Sequence, residues 1–251
     1  MSDEQKTGIL DHLRELRKRL LWSVVAVVIT TSICFFFITD IVDILKAPAG
    51  DIDLYVIEMT EGFSSSMRVA LMSGLVLAMP FLIYQFLMFV IPALTRAERK
   101  AVYIILPVIT LMFAGGITFG YFYLIPPATT FLLEFSELVG AISTIRLSDY
   151  INFITRLLIG IGILFELPVL TSFLARMGVI TSKWLASRRK VMILFSFVVA
   201  AILTPTPDAV NQSIVAGTMI VLYEISIWLA WLIQRRRGKP ATETESSETE
   251  S

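Results

Sequence analysis

Among the polar side chains in or bordering long apolar stretches, Arg156, Glu166 and Glu224 are ionisable, while Gln85 and Gln212 are neutral. A charge near the centre of a membrane helix costs about 2.5–3.5 kcal/mol on insertion scales, so it needs a partner, a water-filled cavity or a neutral form. Glu166 is the deepest, in Phe165-Glu166-Leu167-Pro168. Pro168 has no N–H to offer the carbonyl of Leu164, which opens a polar notch beside the carboxylate. Glu166 is therefore either a functional group of a pocket or a hydrogen-bonding partner across a bundle. Glu224, about midway along the last apolar stretch, has the same two readings. Arg156 lies near the start of its stretch and can snorkel outward, a structural role.

Two more carboxylates, Glu15 and Glu98, sit in basic sequence: Arg14-Glu15-Leu16-Arg17-Lys18-Arg19 and Arg96-Ala97-Glu98-Arg99-Lys100. Glu15 reaches Arg19 at i+4, an ordinary surface pair. Carboxylates on a face where cationic ligands arrive also suit guanidinium binding, and bidentate pairing favours Arg over Lys. Thr204-Pro205-Thr206-Pro207-Asp208, followed by Asn211 and Gln212, forms a polar cap over a short apolar stretch. Asp208 suits the N-cap of the last helix. Gln212 suits a hydrogen bond to a partner's membrane helix, worth about 1 kcal/mol.

These groups need apolar elements to position them. The 251 residues are 56% hydrophobic and 17% charged, whereas a soluble domain carries about a quarter charged residues. A membrane helix takes roughly 20 apolar residues to cross about 30 Å of hydrocarbon. Six spans are predicted, at residues 20–39, 69–91, 101–126, 151–174, 191–203 and 213–233. The fifth would rise only about 20 Å before Pro205 stops it. Either the bilayer thins there or the helix ends inside it. Residues 9–20 predict a short amphipathic helix on the membrane surface, from Ile9, Leu13, Leu16 and Leu20. The charged stretch 11–19 runs straight into apolar sequence, which predicts no cleavable signal peptide.

Connections 41–68 and 128–150 are too polar to cross. Pro80, Pro107 and Pro168 lie inside spans, where they either curve the bundle or are simply tolerated. Gly116 and Gly120 fit close helix packing. Residues 1–237 read as one polytopic domain, and 238–251 as a disordered acidic tail. Of the 21 Lys and Arg residues, 17 fall on one side of this arrangement. The positive-inside rule makes that side cytoplasmic and puts both termini there.

Cys34 and His12 are each the single residue of their type. That excludes an internal disulfide, a cysteine-built or paired-histidine metal site, and a Ser-His-Asp triad with redundancy. Equal counts of acids and bases argue against nucleic acid as a partner. No cofactor is expected.

In this order and spacing, the residues resemble the TatC family, the multi-span component of the twin-arginine protein translocase, over roughly 9–237. His12-Leu13-Arg14-Glu15-Leu16-Arg17-Lys18-Arg19-Leu20 resembles the family's entry helix, and Ala47-Pro48 its first outer loop. Tyr84-Gln85-Phe86, Phe89 and Pro92-Ala93-Leu94 with Glu98-Arg99-Lys100 resemble the end of its second span and the following loop. Phe165-Glu166-Leu167-Pro168 is similar to its intramembrane glutamate motif, and Thr204-Pro205-Thr206-Pro207-Asp208 with Gln212 to its last outer loop. Gly62 departs from the pattern, where a bulkier residue or proline is expected.

The resemblance implies an all-α membrane protein: six transmembrane helices in a curved bundle, both termini inside, with short fifth and sixth helices. It implies a receptor, not an enzyme, for twin-arginine signal peptides of folded cargo in the cell inner membrane. Glu98 would contact the arginines with Glu15 in support, and Phe89, Leu16 and Arg17 would belong to the same patch. Glu166 would line a concave pocket with Pro168 and Gln85. Thr204, Gln212 and Glu224 would face partner helices, and Pro48 and Asp208 would belong to the outer loops. Single-span TatA-type and TatB-type subunits, further copies of the chain and membrane lipid are the implied partners. Transport would draw on the proton gradient.

The residues alone reach a polytopic protein with a polar pocket. A proton-coupled transporter using Glu166 and Glu224 is the competing reading, though the first and last three spans show no internal repeat. An intramembrane hydrolase lacks a nucleophile–base pair.

Overall fold

The computed structural model describes residues 3–49, 54–90, 96–138, 145–204 and 209–237. It is an all-helical bundle: α1 (Asp3–Phe36), α2 (Ile38–Lys46), α3 (Glu61–Val90), α4 (Arg96–Phe119), α5 (Ile125–Leu138), α6 (Leu147–Phe165), α7 (Leu167–Met177), α8 (Ser182–Ser187), α9 (Arg189–Leu203) and α10 (Ala209–Arg237). A π-helical turn, Gly120–Leu124, joins α4 to α5. The two-residue strands β1 (Leu54–Tyr55) and β2 (Ile145–Arg146) pair in parallel, Leu54 beside Ile145 and Tyr55 beside Arg146.

Five helical stretches are long and apolar enough to cross a membrane: Leu13–Phe36, Glu61–Phe89, Leu106–Phe131, Leu147–Met177 and Ala209–Arg235. They correspond to predicted spans one to four and six. The predicted fifth span is α9, whose 15 residues rise about 22 Å, short of a full crossing. The sixth helix is not short: α10 has 29 residues and is about 43 Å long. Apolar sequence runs on through it with no proline or glycine pair to end it. The amphipathic segment 9–20 is likewise not a separate surface helix. It continues into the first span as one helix of 34 residues, because nothing between them breaks the hydrogen-bond ladder.

α6 is the hub. Ile151, Ile154, Leu157 and Ile161 are almost fully buried, packed with Val69 of α3, Ile125 of α5, and Val215 and Met219 of α10. α1 packs mainly along α3. They approach closely at Gly74, where a Cβ would come within 2.5 Å of the Thr31 backbone. Thr30 seals the contact by donating its hydroxyl to the Gly74 carbonyl at 2.7 Å. The short α2 is held by two tyrosines: Tyr121 donates to Ile44 O at 2.7 Å and Tyr150 to Leu45 O at 3.0 Å. These are carbonyls of its last turn, which have no intrahelical donor.

At the start of α3 a single buried carboxylate gathers the connections. Glu61 is 2% exposed. Its Oε2 accepts from the Ile57 and Glu58 amides at 2.9 and 3.3 Å, and its Oε1 from the Ser148 amide at 3.0 Å. Arg146 Nε lies 3.0 Å from the same Oε1, and Arg146 Nη2 lies 2.9 Å from Glu58. These carboxylates raise the Arg146 pKa above its ordinary value, Glu61 contributing most. Arg68 completes the end by donating to the Asn152 side chain on α6.

This packing makes two stability predictions. Gly74→Ala lowers the thermal midpoint of the detergent-solubilised protein, because the added methyl would clash with the backbone and hydroxyl of Thr31 on α1. Glu61→Ala lowers it by several degrees, since it strands three amides and a guanidinium. Unchanged midpoints in a thermal scan would contradict both.

Candidate functional site

The end of the bundle where α1 begins is rich in basic residues. Along α1, Glu15, Lys18, Arg19 and Trp22 recur at i, i+3, i+4 and i+7 and so share one face. α3 brings Tyr84 and Gln85 opposite them. With Arg14 these residues wall a cavity of about 540 Å3. Arg19 is its central link. Its Nε and Nη2 donate to Glu15 Oε1 at 3.0 and 2.5 Å, and its Nη1 donates to Gln85 Oε1 at 3.3 Å. The two partners are only 20% and 31% exposed, so the pair is shielded more than an open surface pair, whose net worth is small. Both bonds fall on the same oxygen, which leaves Oε2 outside the Arg19 pair. A carboxylate so placed can exchange one guanidinium for another, or share itself between two.

The structure brings only part of the predicted site together. Gln85, which the sequence groups with Glu166, belongs instead to the Glu15 cavity. Leu16 and Arg17 are exposed on other faces of α1, and Phe89 is half-buried near the end of α3. Glu98 is carried on the first turns of α4, but its side chain lies outside the described residues. Pro48 is half-buried in a 3-10 turn after α2. Asp208 lies outside the described residues.

Glu166 is the joint between α6 and α7. Its amide donates to Ile163 O at 3.1 Å, and its carbonyl accepts from Val169 and Leu170 at 3.1 and 2.9 Å. Pro168 is buried at the second position of α7, within the first turn, where proline costs no intrahelical hydrogen bond. The carboxylate is 7% exposed, and neither oxygen has a hydrogen-bond donor among the described residues. It is therefore an unpaired acid at membrane depth, able to take a proton or accept a hydrogen bond. It lines neither the Glu15 cavity nor the apolar cavity of about 420 Å3 between α1, α2, α3, α4 and α6, whose walls include Cys34, Leu45, Ile117 and Leu158.

Glu224 has an internal partner. Arg189, at the start of α9, donates its Nε and Nη2 to the two carboxylate oxygens at 2.7 and 2.9 Å. Thr204 is buried, and its hydroxyl turns back onto Ala200 O of its own helix at 2.9 Å. Gln212 donates to Phe197 O at 3.1 Å, tying α10 to α9.

Sequence reading missed Lys18, Trp22 and Tyr84 as cavity walls and Arg189 as the partner of Glu224. The helical spacing of Glu15, Lys18, Arg19 and Trp22 carries the first signal. The second depends on residues 35 apart in sequence and leaves no local trace.

The bundle is that of a multi-pass membrane protein, and its similarities place it among protein translocase components. Residues 11–217 match the family described as Sec-independent protein translocase protein (TatC). The TatC protein of Carboxydothermus hydrogenoformans is 37% identical over 93% of this chain and 96% of its own length. That of Koribacter versatilis is 35% identical over 98% and 94%. A solved structure described as the crystal structure of the twin arginine translocase receptor TatC superposes with a TM-score of 0.80 at 37% identity, covering 89% of this chain and all of that one. The chain belongs to the TatC family. It is a protein translocase component and not an enzyme.

The Arg189–Glu224 geometry makes its own prediction. Arg189→Gln alone lowers the thermal midpoint more than Arg189→Gln combined with Glu224→Gln, because the single change leaves a carboxylate unpaired at an apolar surface. Equal losses in the two variants would contradict the pairing.

Proposed function

We propose that this chain is the signal-peptide receptor subunit of a twin-arginine translocase, reading paired arginines at its basic end. The observation that carries the reading is the Glu15 cavity, where a carboxylate already holds one guanidinium, from Arg19. The solved structure it is similar to is described as the receptor of that translocase. Glu98 opens the helix that follows α3, and on this reading its carboxylate joins Glu15 in meeting the two arginines. Phe89, Leu16 and Arg17 flank that patch.

The basic end is then cytoplasmic by the positive-inside rule. α9 is a sixth, abbreviated crossing, both termini are inside, and the membrane is the cell inner membrane. Residues 238–251 form an acidic tail beyond the membrane domain. Partner helices of single-span TatA-type and TatB-type subunits meet the α9–α10 side near Thr204, Gln212 and Glu224, and further copies of the chain complete the assembly. Pro48 and Asp208 belong to the outer loops. Glu166, with Pro168, supplies a polar group at membrane depth during transport driven by the proton gradient.

The proton-coupled transporter reading loses one of its two acids, since Glu224 is held by Arg189. The family match does not favour it either.

Glu15→Gln and Glu98→Gln each weaken binding of a synthetic twin-arginine peptide about tenfold, the cost of one charge-assisted hydrogen bond. Fluorescence anisotropy on the purified protein reads this directly, and unchanged affinity in both variants would defeat the reading. Glu166→Ala inserts normally, since it removes an insertion cost, but exports a folded reporter poorly. Full export by that variant would remove Glu166 from the transport step.

A further inference from the structure

The basic end carries a second, open recess with charged groups in its walls, between α8, the first turn of α9 and α10. It encloses about 380 Å3, and its walls include Lys183, Arg189, Glu224, Trp228 and Trp231. Arg189 neutralises Glu224 through both of its oxygens. Lys183 is left as the net charge of the recess, and among the described residues no carboxylate pairs with it. Two more cations, Arg188 next to Arg189 in the chain and Arg235 further along α10, are held by aromatic rings. Arg188 lies 5.8 Å from the Trp184 ring centroid, and Arg235 lies 5.3 Å from that of Trp231.

The recess is preformed. Tyr223 donates to Leu185 O at 2.7 Å, fixing α8 against α10. Gln234 accepts from the Ser182 hydroxyl at 2.9 Å and donates to Ile180 O at 3.2 Å. Its depth follows from its neighbours. Tryptophan side chains settle at membrane–water interfaces, and Trp228 and Trp231 are both exposed. α9 begins at Arg189 and presents Val191, Leu194, Phe195 and Val198 outward, an apolar surface too short for a full bilayer. Lipid beside α9 is therefore drawn inward, which brings headgroups to the level of Arg189 and Lys183.

The occupant that this chemistry selects is anionic and interfacial, with an apolar body to lie against tryptophan. Basic pockets between membrane helices bind lipid headgroups in this way. A zwitterionic headgroup brings its own cation, which Lys183, Arg188 and Arg235 oppose. We propose that the recess between α8 and α10 binds the phosphate of an anionic phospholipid, with Lys183 and Arg189 contacting the phosphate and Trp228 and Trp231 lying against the lipid body.

The test uses the full chain with Trp22→Phe and Trp184→Phe, which leaves Trp228 and Trp231 as its tryptophans. The protein is reconstituted in phosphatidylcholine vesicles containing a low, equal mole fraction of acyl-brominated phosphatidylglycerol or acyl-brominated phosphatidylcholine. Quenching by the anionic lipid indicates about fivefold local enrichment over the zwitterionic one. Lys183→Gln, an exposed change that leaves the packing alone, abolishes most of that preference. Arg189→Gln with Glu224→Gln weakens it without stranding an acid. Millimolar inorganic phosphate does not compete. Equal quenching by the two lipids, or a preference untouched by Lys183→Gln, overturns the proposal. Loss of the preference to inorganic phosphate overturns its lipid part and assigns the recess to the free ion.

Discussion

A carboxylate buried to 2% exposure costs several kcal/mol unless its oxygens are satisfied. Glu61 meets that demand by drawing three backbone amides and Arg146 onto itself. In doing so it fixes the start of α3 against the start of α6. It also seats the β1–β2 pair and sets the register in which α3 runs toward the basic end. α6 is the hub of the core, so α3 is thereby positioned against the whole bundle. α1 reaches that bundle mainly through α3, at the Gly74 contact. The Glu15 cavity, whose described walls come from α1 and α3, thus depends on a knot at the opposite end of the molecule.

The membrane sorts the other acids by the same rule, and each has a different solution. Glu224 is paired bidentately with Arg189 at a half-exposed surface. Glu15 shares Arg19 with Gln85 in a partly shielded polar cavity. Glu166 has no donor among the described residues, although it is buried. A carboxylate left unsatisfied at membrane depth is unlike structural acids such as Glu61, and that contrast is why Glu166 is proposed to act within the fold and not to hold it.

Apolar runs made legible five helices long enough to cross a membrane, because hydrocarbon admits few other patterns. Their ends were less so. Residues 61–68 read as loop from their polarity, yet Ser64 and Ser66 return their hydroxyls to carbonyls of the same helix, and Glu61 is satisfied by neighbours. Helix α3 therefore starts well before the hydrophobic segment. α10 runs longer than the resemblance implies, because no proline or glycine pair interrupts it. In the site, Glu15 and Arg19 were readable from their i, i+4 spacing. The link from Arg19 to Gln85 was not, since it exists only once α1 lies on α3.

Recognition of guanidinium by the Glu15 cavity is open to a direct test at the cavity wall. Site-specific photo-crosslinking from position 18, in native membranes, compares signal peptides carrying Arg-Arg with those carrying Lys-Lys. A cavity that reads arginine gives strong crosslinks to the Arg-Arg peptide and weak ones to Lys-Lys. Equal crosslinking to both, or none to either, would contradict that recognition and leave Glu15 and Arg19 as an ordinary intrahelical pair.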